Sequence, residues 1–337
     1  MRRLPSWRIA LLALAPTACT APEAPNVERA IQGLRPSSIV ALAAGDIASS
    51  NDNDFATSER VRANIDWYTA QGVPTYVLAL GDNTYTDGGG PSTLGVYNSH
   101  YEMSWGRFYD RTFPAIGNHE YYDTASPNGF HAYFNQEPAR PRRFQENNGR
   151  PYWSHDEGNW HIVVLDTNCS RSDPGEGNPN ALAVDCTAEN AWLTSDLAND
   201  THTCELVYGH HPRWSDGVGG AAGHGDNAWL QPIWQTLYTH GVDIYLSGHV
   251  HNYHVFPRKD ANFIDADNGV RQMVVGTGGY SHDTFDPSLN RTRPGSRNNT
   301  DYGIAIFELN ASDYAWWFQN TEGVDLDFGS TPCHGPP

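Results

Sequence analysis

The sequence predicts an α/β fold in which mixed β-sheets carry helices on their outer faces. Apolar, strand-like runs alternate with helical segments in the first part of the chain, and β segments dominate later. This order is typical of mixed sheets flanked by helices. Five of the runs also end at a glycine that is followed at once by a residue type that binds metals. Because ligands in open α/β sheets gather beyond the carboxyl ends of the strands, we expect these five ends to converge.

Hydrophobic patterning predicts the elements in order. Val61, Ile65 and Tyr68 fall at helical spacing, and Gly72 follows them as a stop signal. Residues 75–80 form a continuous apolar run, as expected for a strand that is covered on both faces. The predicted helices span residues 54–71, 187–198 and 227–240. The predicted strands span residues 38–44, 75–80, 113–116, 160–165, 203–208 and 242–246, followed by β segments near 253–257, 272–276, 302–308 and 313–318.

Length and charge limit the range of functions. The 337 residues suffice for one large α/β domain or two small ones, and the spread of the ligand-type residues from Asp46 to His251 favours one. The formal net charge is −18. A chain this acidic is not expected to bind nucleic acid or anionic lipid through its own surface. An anionic substrate would therefore need bound cations to supply positive charge.

The N-terminus has the pattern of an export signal. Three arginines precede a short apolar stretch at residues 9–15, and small residues follow. The stretch is too short for a permanent membrane span, so we predict a signal peptide over residues 1–21 and a secreted or periplasmic protein. Cleavage is expected after Ala18 or Ala21. Alternatively, Cys19 is the lipidated cysteine of a bacterial lipoprotein, which would be the protein's one link to a membrane.

Four cysteines remain once Cys19 is set aside. An even number in an exported protein predicts two disulfide bonds, and four cysteines allow three pairings. We favour Cys169–Cys186, which would close a polar loop, and Cys204–Cys333, which would tie the C-terminal tail to a core strand.

The residues behind the five glycines form a consistent ligand set. The runs are VALAAGD, YVLALGD, FPAIGN, CELVYGH and DIYLSGH, and they end at Asp46, Asp82, Asn118, His210 and His249. His251 follows the last of them in GHVH. Glycine lets the backbone turn sharply at a strand end. Oxygen and imidazole ligands without a thiolate suit hard or borderline divalent and trivalent ions.

The order of motifs GD, GDNTY, GNHEY, GHHPRWS and GHVH resembles that of the calcineurin-like metallophosphoesterases. Within them it is most similar to the purple acid phosphatases, in particular the small tartrate-resistant type. The resemblance covers roughly residues 38–310, and we place the metallophosphoesterase domain at residues 36–325. It implies a four-layer α/β/β/α sandwich with two mixed β-sheets flanked by helices.

The resemblance also implies two metal ions bridged by Asp82, since a carboxylate can be shared by ions about 3.5–4 Å apart. The ligands of the first metal would be Asp46, Asp82, Tyr85 and His251. The ligands of the second metal would be Asp82, Asn118, His210 and His249.

Tyr85 decides between the subfamilies. Ordinary metallophosphoesterases carry histidine two residues after the first aspartate, where this chain has Ala48. Tyr85 is the replacement that purple acid phosphatases use. A phenol with a pKa near 10 binds well only to a strongly acidic ion, which implies Fe(III) at the first position and a purple colour. The second metal is left open among Fe(II), Zn(II) and Mn(II).

The implied reaction is hydrolysis of small phosphate monoesters by a metal-bound hydroxide, with an acid pH optimum. His119 and His224 are the candidate catalytic residues, placed to contact the phosphate or protonate the leaving group. Glu120 is a candidate for holding a ligand, Asn83 a candidate substrate contact, and His211 a residue with either a packing or a substrate-facing role.

Two other functions remain open. A phosphodiesterase or nucleotide hydrolase could use the same scaffold, because the loops at residues 86–104, 123–151 and 215–226 would set access to the cleft. A non-enzymatic metal-bearing protein is disfavoured because all seven ligand positions of the resembled family are filled.

Overall fold

The computed structural model describes residues 38–51, 53–86, 91–122, 127–136, 138–147, 149–168, 186–218 and 224–337. The predicted signal peptide, Cys19 and Cys169 lie outside these residues, so the export signal and the Cys169–Cys186 pairing stay predictions. None of the helices within the described ranges combines the length and apolar character that crossing a bilayer requires.

The first sheet has six strands in the order β15-β14-β13-β1-β2-β3. Strands β1, β2 and β3 run parallel, whereas β13, β14 and β15 are joined to them by antiparallel pairing. The strands are β1 (Ile39–Ala44), β2 (Thr75–Leu80), β3 (Thr112–Ala115), β13 (Gly303–Leu309), β14 (Asp313–Asn320) and β15 (Asp325–Pro332).

The second sheet has seven strands in the order β12-β9-β10-β8-β6-β5-β4. Its centre, from β5 through β6 and β8 to β10, is parallel, and its edges are antiparallel. The strands are β4 (Trp153–Glu157), β5 (Trp160–Val164), β6 (Cys204–Tyr208), β8 (Ile244–Ser247), β9 (Tyr253–Val255), β10 (Arg271–Val275) and β12 (Arg297–Asn298). A separate small pair joins β7 (Gly217–Val218) to β11 (Thr284–Phe285).

Helices cover the outer faces of both sheets. The longer ones are α1 (Asn53–Ala70), α2 (Asn128–Phe134), α3 (Cys186–Asn199) and α4 (Gln231–His240). Helix α1 packs on the first sheet, where the Tyr68 hydroxyl donates to Glu308 Oε1 across 2.8 Å. Shorter helical turns lie at Leu94–Val96, Tyr97–Tyr101, Trp105–Arg111, His119–Tyr121 and Ala228–Leu230.

Alternation along β5 shows how the layers are stacked. Ile162 and Val164 join the apolar cluster between the sheets, and Val163 joins the cluster under α3 and α4. Side chains that alternate in this way cover both faces of the strand. The predicted α/β/β/α sandwich with two mixed sheets is therefore confirmed.

The structure adds elements that the pattern did not predict. Strands β4 and β15 lie at sheet edges and lack the apolar runs that mark central strands: β4 is polar after Trp153, and β15 alternates between partly buried and exposed residues. The stretch 123–151, expected to be a loop beside the cleft, contains α2, whose Phe130, Tyr133 and Phe134 are buried. The helix expected from residue 227 begins as a 3-10 turn and becomes α-helical at Gln231.

The predicted Cys204–Cys333 disulfide is confirmed. It links the first residue of β6 to the segment after β15, across 129 residues of sequence. The bond therefore ties an edge strand of the first sheet to a core strand of the second.

Candidate metal centre

The five glycine-ended turns meet at one end of the two sheets, as the sequence predicts. The backbone N–H of Asp46 donates to Gly81 O, and that of Gly248 donates to His210 O, so the turns bond to one another. Three residues in them, Asp46, Asp82 and His249, have φ angles of 58°, 45° and 69°. Non-glycine residues in this left-handed region cost about 1–3 kcal/mol and concentrate at functional sites. The strain thus falls on predicted ligands.

Close packing explains two of the glycines. A Cβ on Gly117 would collide with the side chain and backbone of Asp82, and one on Gly248 would collide with the Asp46 carboxylate. These glycines are therefore required by the approach of the carboxylates as well as by the turns.

The first group of predicted ligands surrounds Asp46. The Tyr85 hydroxyl lies 2.9 Å from Asp46 Oδ1 and 3.0 Å from Asp82 Oδ2. His251 Nε2 lies 3.3 Å from Asp46 Oδ1. All four side chains are buried. Their donor atoms are therefore close enough to share one ion.

The second group surrounds Asn118. Its Oδ1 lies 2.9 Å from His210 Nε2 and 3.1 Å from His249 Nδ1. His210 Nε2 also lies 3.2 Å from Asp82 Oδ2, the oxygen that Tyr85 contacts. Asp82 thus belongs to both groups, which is the placement that a bridging ligand needs.

The donor set fits metal ions. Asp46, Asp82 and His210 are fully or almost fully buried, and each places a possible ligand atom within 4.8 Å of the other two. Buried carboxylates are costly unless they are paired or coordinate a metal. The set of carboxylate, amide, phenol and imidazole groups suits iron, zinc or manganese.

The electrostatics of the cluster oppose a free tyrosinate. Burial raises the pKa of Tyr85 well above its ordinary value, and Asp46 and Asp82 raise it further. Burial disfavours charge on Asp82, but His210 and His119 outweigh it and hold the pKa of Asp82 well below its usual range. Burial also opposes protonation of His210, yet Asp82 raises the pKa of that imidazole to about 10. Tyr85 would therefore ionise only if a strong cation replaced its proton.

Glu120 holds the turn that carries Asp82. Its buried carboxylate accepts the backbone N–H groups of Asp82 at 3.1 Å, Asn83 at 3.0 Å and Gly117 at 2.7 Å, and the Tyr97 hydroxyl at 2.9 Å. The sequence suggested that Glu120 supports a ligand, and its contact is with the ligand's backbone.

Asn83 does not lie where a substrate contact would. It is fully buried, and its amide donates to Ala115 O across 3.1 Å. The expectation that Asn83 contacts substrate is therefore wrong, because the side chain points into the core and braces β3.

The two candidate catalytic histidines lie on either side of the ligand cluster. His119 donates its backbone N–H to Asp82 Oδ1 across 2.8 Å, and its ring lies 4.6 Å from that of Tyr85. The His224 ring lies 4.6 Å from that of His249. Both side chains are partly exposed, so each can reach a bound substrate from the cleft.

His211 is buried and packs against its neighbours, which is one of the two roles that the sequence left open. Its Nδ1 lies 2.9 Å from Thr167 Oγ1, and its ring lies 4.3 Å from that of His249. The same hydroxyl accepts the backbone N–H groups of His210 and His211. Thr167 therefore fixes the turn that carries the ligand His210.

Sequence reasoning missed the segment after β10. Asp283 Oδ2 accepts the His251 backbone N–H at 3.0 Å and lies 2.5 Å from His224 Nδ1. Ser281 Oγ lies 2.6 Å from His251 Nδ1, and the Tyr280 ring stacks on Tyr85 at 3.8 Å. A signal was present, because β10 also ends at a glycine, Gly276. No metal-binding residue type follows that glycine directly.

Comparison with known proteins agrees with this geometry. Residues 39–253 match the calcineurin-like phosphoesterase family. The chain belongs to that family. Its relatives include tartrate-resistant acid phosphatase type 5 of Sus scrofa, 32% identical over 39% of this chain and 36% of the relative. Purple acid phosphatase 15 of Arabidopsis thaliana is 29% identical over 52% of this chain and 32% of the relative. The chain thus spans about a third of the length of these curated relatives.

Solved structures show the same fold. Purple acid phosphatase PPD1 from yellow lupin superposes with a TM-score of 0.61 at 17% identity, covering 90% of this chain and 55% of that one. GAP50, described as the anchor in the inner membrane complex of Plasmodium, superposes with a TM-score of 0.63 at 14% identity. The match covers 89% of this chain and 90% of that one. At these identities the likeness concerns the fold alone.

Proposed function

We propose that this protein is a phosphatase that hydrolyses phosphate monoesters at a dinuclear metal centre. The observation that carries the proposal is the contact of one Asp82 oxygen with both ligand groups, 3.0 Å from Tyr85 and 3.2 Å from His210. Membership of the family and the acid phosphatase relatives support it. The fold alone would not, since a protein described as an anchor shares it.

The two groups would hold different ions. Asp46, Tyr85 and His251, with the bridging Asp82, form the proposed Fe(III) position, because the phenol needs a strongly acidic ion to lose its proton. Asn118, His210 and His249, again with Asp82, would hold Fe(II), Zn(II) or Mn(II). Such ions make a water nucleophilic near neutral pH and hold phosphate oxygens.

His224 is the proposed general acid. Its Nδ1 lies 2.5 Å from Asp283 Oδ2, and this contact fixes the orientation of the ring. Nε2 is then the ring nitrogen left to face a departing alkoxide. Help of this kind is worth about 10²–10⁴-fold in rate.

His119 is the proposed phosphate contact. Its ring lies between those of Tyr85 and Tyr122, at 4.6 Å and 5.2 Å, which limits its rotation. A partly exposed imidazole held in this way can donate a hydrogen bond to a phosphate oxygen. The two histidines would thus act on different parts of the ester.

The charge of the chain agrees with a catalytic role for bound cations. A net charge of −18 repels a phosphate ester, so recognition has to come from the metals and the histidines at the cleft. Export through residues 1–21, an acid pH optimum, the domain limits 36–325 and a lipid anchor at Cys19 are further parts of the proposal.

The deciding experiment compares an aryl phosphate monoester with the matching diester. Purified protein supplied with iron and zinc is assayed from about pH 4 to about pH 9, so that an acid optimum and an alkaline optimum can be told apart. A higher kcat/KM for the monoester, with an acid optimum, is the expected result. Preference for the diester would replace the proposal by a phosphodiesterase, and no turnover with both metals bound would refute it.

A further inference from the structure

A second group of metal-ligand residue types lies away from the catalytic cluster. His161 is the second residue of β5, and Asp156 lies opposite it in β4. Asp200 and His202 lie between α3 and β6. The catalytic ligands follow the last residues of parallel strands, whereas this group lies beside the first residues of β5 and β6. It is therefore at the opposite end of the second sheet.

The donor atoms have the spacing of a single ion's ligands. His161 Nδ1 lies 2.7 Å from Asp156 Oδ1 and 3.9 Å from Asp200 Oδ1. His202 Nδ1 lies 2.6 Å from Asp200 Oδ1 and 3.9 Å from Asp156 Oδ1. Tetrahedral ligands at the usual zinc bond lengths are about 3.3–3.5 Å apart, and these four distances bracket that separation. Small side-chain rotations would make them equal.

A carboxylate outside the four fixes the orientation of His161. Its Nε2 lies 3.0 Å from Asp196 Oδ2, and Asp196 Oδ1 accepts the Ser154 hydroxyl at 2.9 Å. A histidine that donates one ring N–H to a carboxylate presents the lone pair of the other nitrogen. Metal-binding histidines are usually held in this way. Asp196 thus orients Nδ1 of His161 towards the other three donors.

Buried carboxyl groups beside the group also favour a cation. Asp200 Oδ2 is buried, and the Asp200 side chain is only 5% exposed. Glu205, which pairs with His161 across β5 and β6, places a second buried carboxyl group against Asp200. Within the described part of the chain, no lysine or arginine forms an ion pair with Asp156, Asp196 or Asp200. Carboxylates therefore outnumber the cations that could neutralise them.

We propose that Asp156, His161, Asp200 and His202 bind one divalent metal ion, preferably Zn(II), at a structural site separate from the catalytic centre. Two imidazoles and two carboxylates suit zinc, and four protein ligands leave no open position for a substrate. The ion would join the β4–β5 hairpin to the segment between α3 and β6.

The test counts zinc ions. Wild-type protein, Asp156→Asn and His202→Ala are dialysed against zinc and then against buffer, and bound metal is measured per chain. We expect each variant to bind one zinc ion fewer than wild type. His240→Ala, which changes a histidine at the end of α4, is the matched control and should keep the wild-type count. Asp156 is 58% exposed, so its variant should fold normally.

Two further readouts separate ligation from a purely structural effect. Asp196→Asn keeps all four proposed ligands, and we expect about 10–100-fold weaker zinc binding in competition with a chromophoric chelator. Zinc should raise the unfolding temperature of wild type above that of His202→Ala. Equal zinc counts in wild type, Asp156→Asn and His202→Ala would overturn the proposal. The zinc count does not depend on turnover. A negative result would therefore contradict the structural zinc site and leave the phosphatase proposal unaffected.

Discussion

The Tyr85 hydroxyl lies 2.9 Å from Asp46 Oδ1, and the Tyr85 backbone N–H donates to Ala48 O across 2.8 Å. The tyrosine is thus held against the position where ordinary members of the resembled family carry a histidine. This contact is the structural basis for expecting a ferric ion and colour.

Tyr85→Phe should lose the visible absorption while keeping iron. The change removes only the oxygen that would donate charge to Fe(III), and the ring still stacks on Tyr280. Absorption spectra and iron content of the same samples provide the measurement. Tyr280→Phe is the matched control and should stay coloured, since no hydrogen bond among the described residues joins its hydroxyl to Asp46 or Asp82. A colourless, iron-loaded wild type would contradict the assignment.

Glu120→Gln should weaken metal binding although Glu120 contacts no ion. Its two oxygens accept N–H groups from Asp82, Asn83 and Gly117, and an amide NH₂ cannot accept them. Loss of a group that orients a ligand typically costs about 10–100-fold in metal affinity. Competition with a chelator measures the effect. Glu322→Gln, on an exposed turn, is the control, and equal affinities for the two variants would show that Glu120 is dispensable.

His224→Ala should slow alkyl phosphates much more than aryl phosphates. A poor leaving group needs the proton from His224, and a phenolate leaves with little help, so kcat for the alkyl ester should fall by about 10²–10⁴-fold. Asp283→Asn should show the same selectivity, because Asp283 holds the His224 ring. Rates measured across a series of leaving groups decide the matter. A uniform loss for all esters would mean that His224 contacts the phosphate and is not the acid.

Much of this arrangement follows from sequence, for a physical reason. A central strand that is buried on both faces has a continuous apolar sequence, and a glycine indicates the turn at its end. The strands β1, β2, β6 and β8, and the ligand residue that follows each of them, could therefore be predicted. Edge strands such as β15 face solvent on one side and lack that signal. Contacts between distant segments have no local signature. Asp283 acquires its role only when its loop folds against His251 and His224.

The proposed zinc site at Asp156, His161, Asp200 and His202 shows the same limit. Asp156 and His161 lie on two strands of one hairpin, but Asp200 and His202 come from a loop some forty residues later, roughly a helix and a connection away. Their spacing matches no metal-binding motif. Only the parallel pairing of β5 with β6 brings the four side chains together.

His254 should make the protein sensitive to acid. Burial lowers its pKa to about 3, and Asp216, Arg297, Arg291 and Asp226 are the charged groups that act on it. The unfolded chain binds the proton near pH 6.5, so stability is present above that pH and is lost as pH falls towards 3. The loss reaches about 2–3 kcal/mol at about pH 4.5.

The measurement compares wild type with His254→Gln by urea unfolding. The glutamine does not titrate and can still donate to Asn252, which His254 contacts at 2.8 Å. We expect the free energy of unfolding of the variant to fall less steeply between neutral pH and about pH 4.5. Parallel pH profiles for the two proteins would show that His254 carries no such penalty.

The central claim is that two metal ions share Asp82, and it is tested most directly by counting metals in active protein. Elemental analysis is made on the Asp156→Asn variant, which lacks the proposed structural zinc site, so that only the catalytic ions are counted. We predict two metal ions per chain, at least one of them iron, and a loss of both the second ion and the activity in Asp82→Ala. One ion per chain at full activity, or an unchanged count in Asp82→Ala, would contradict the account.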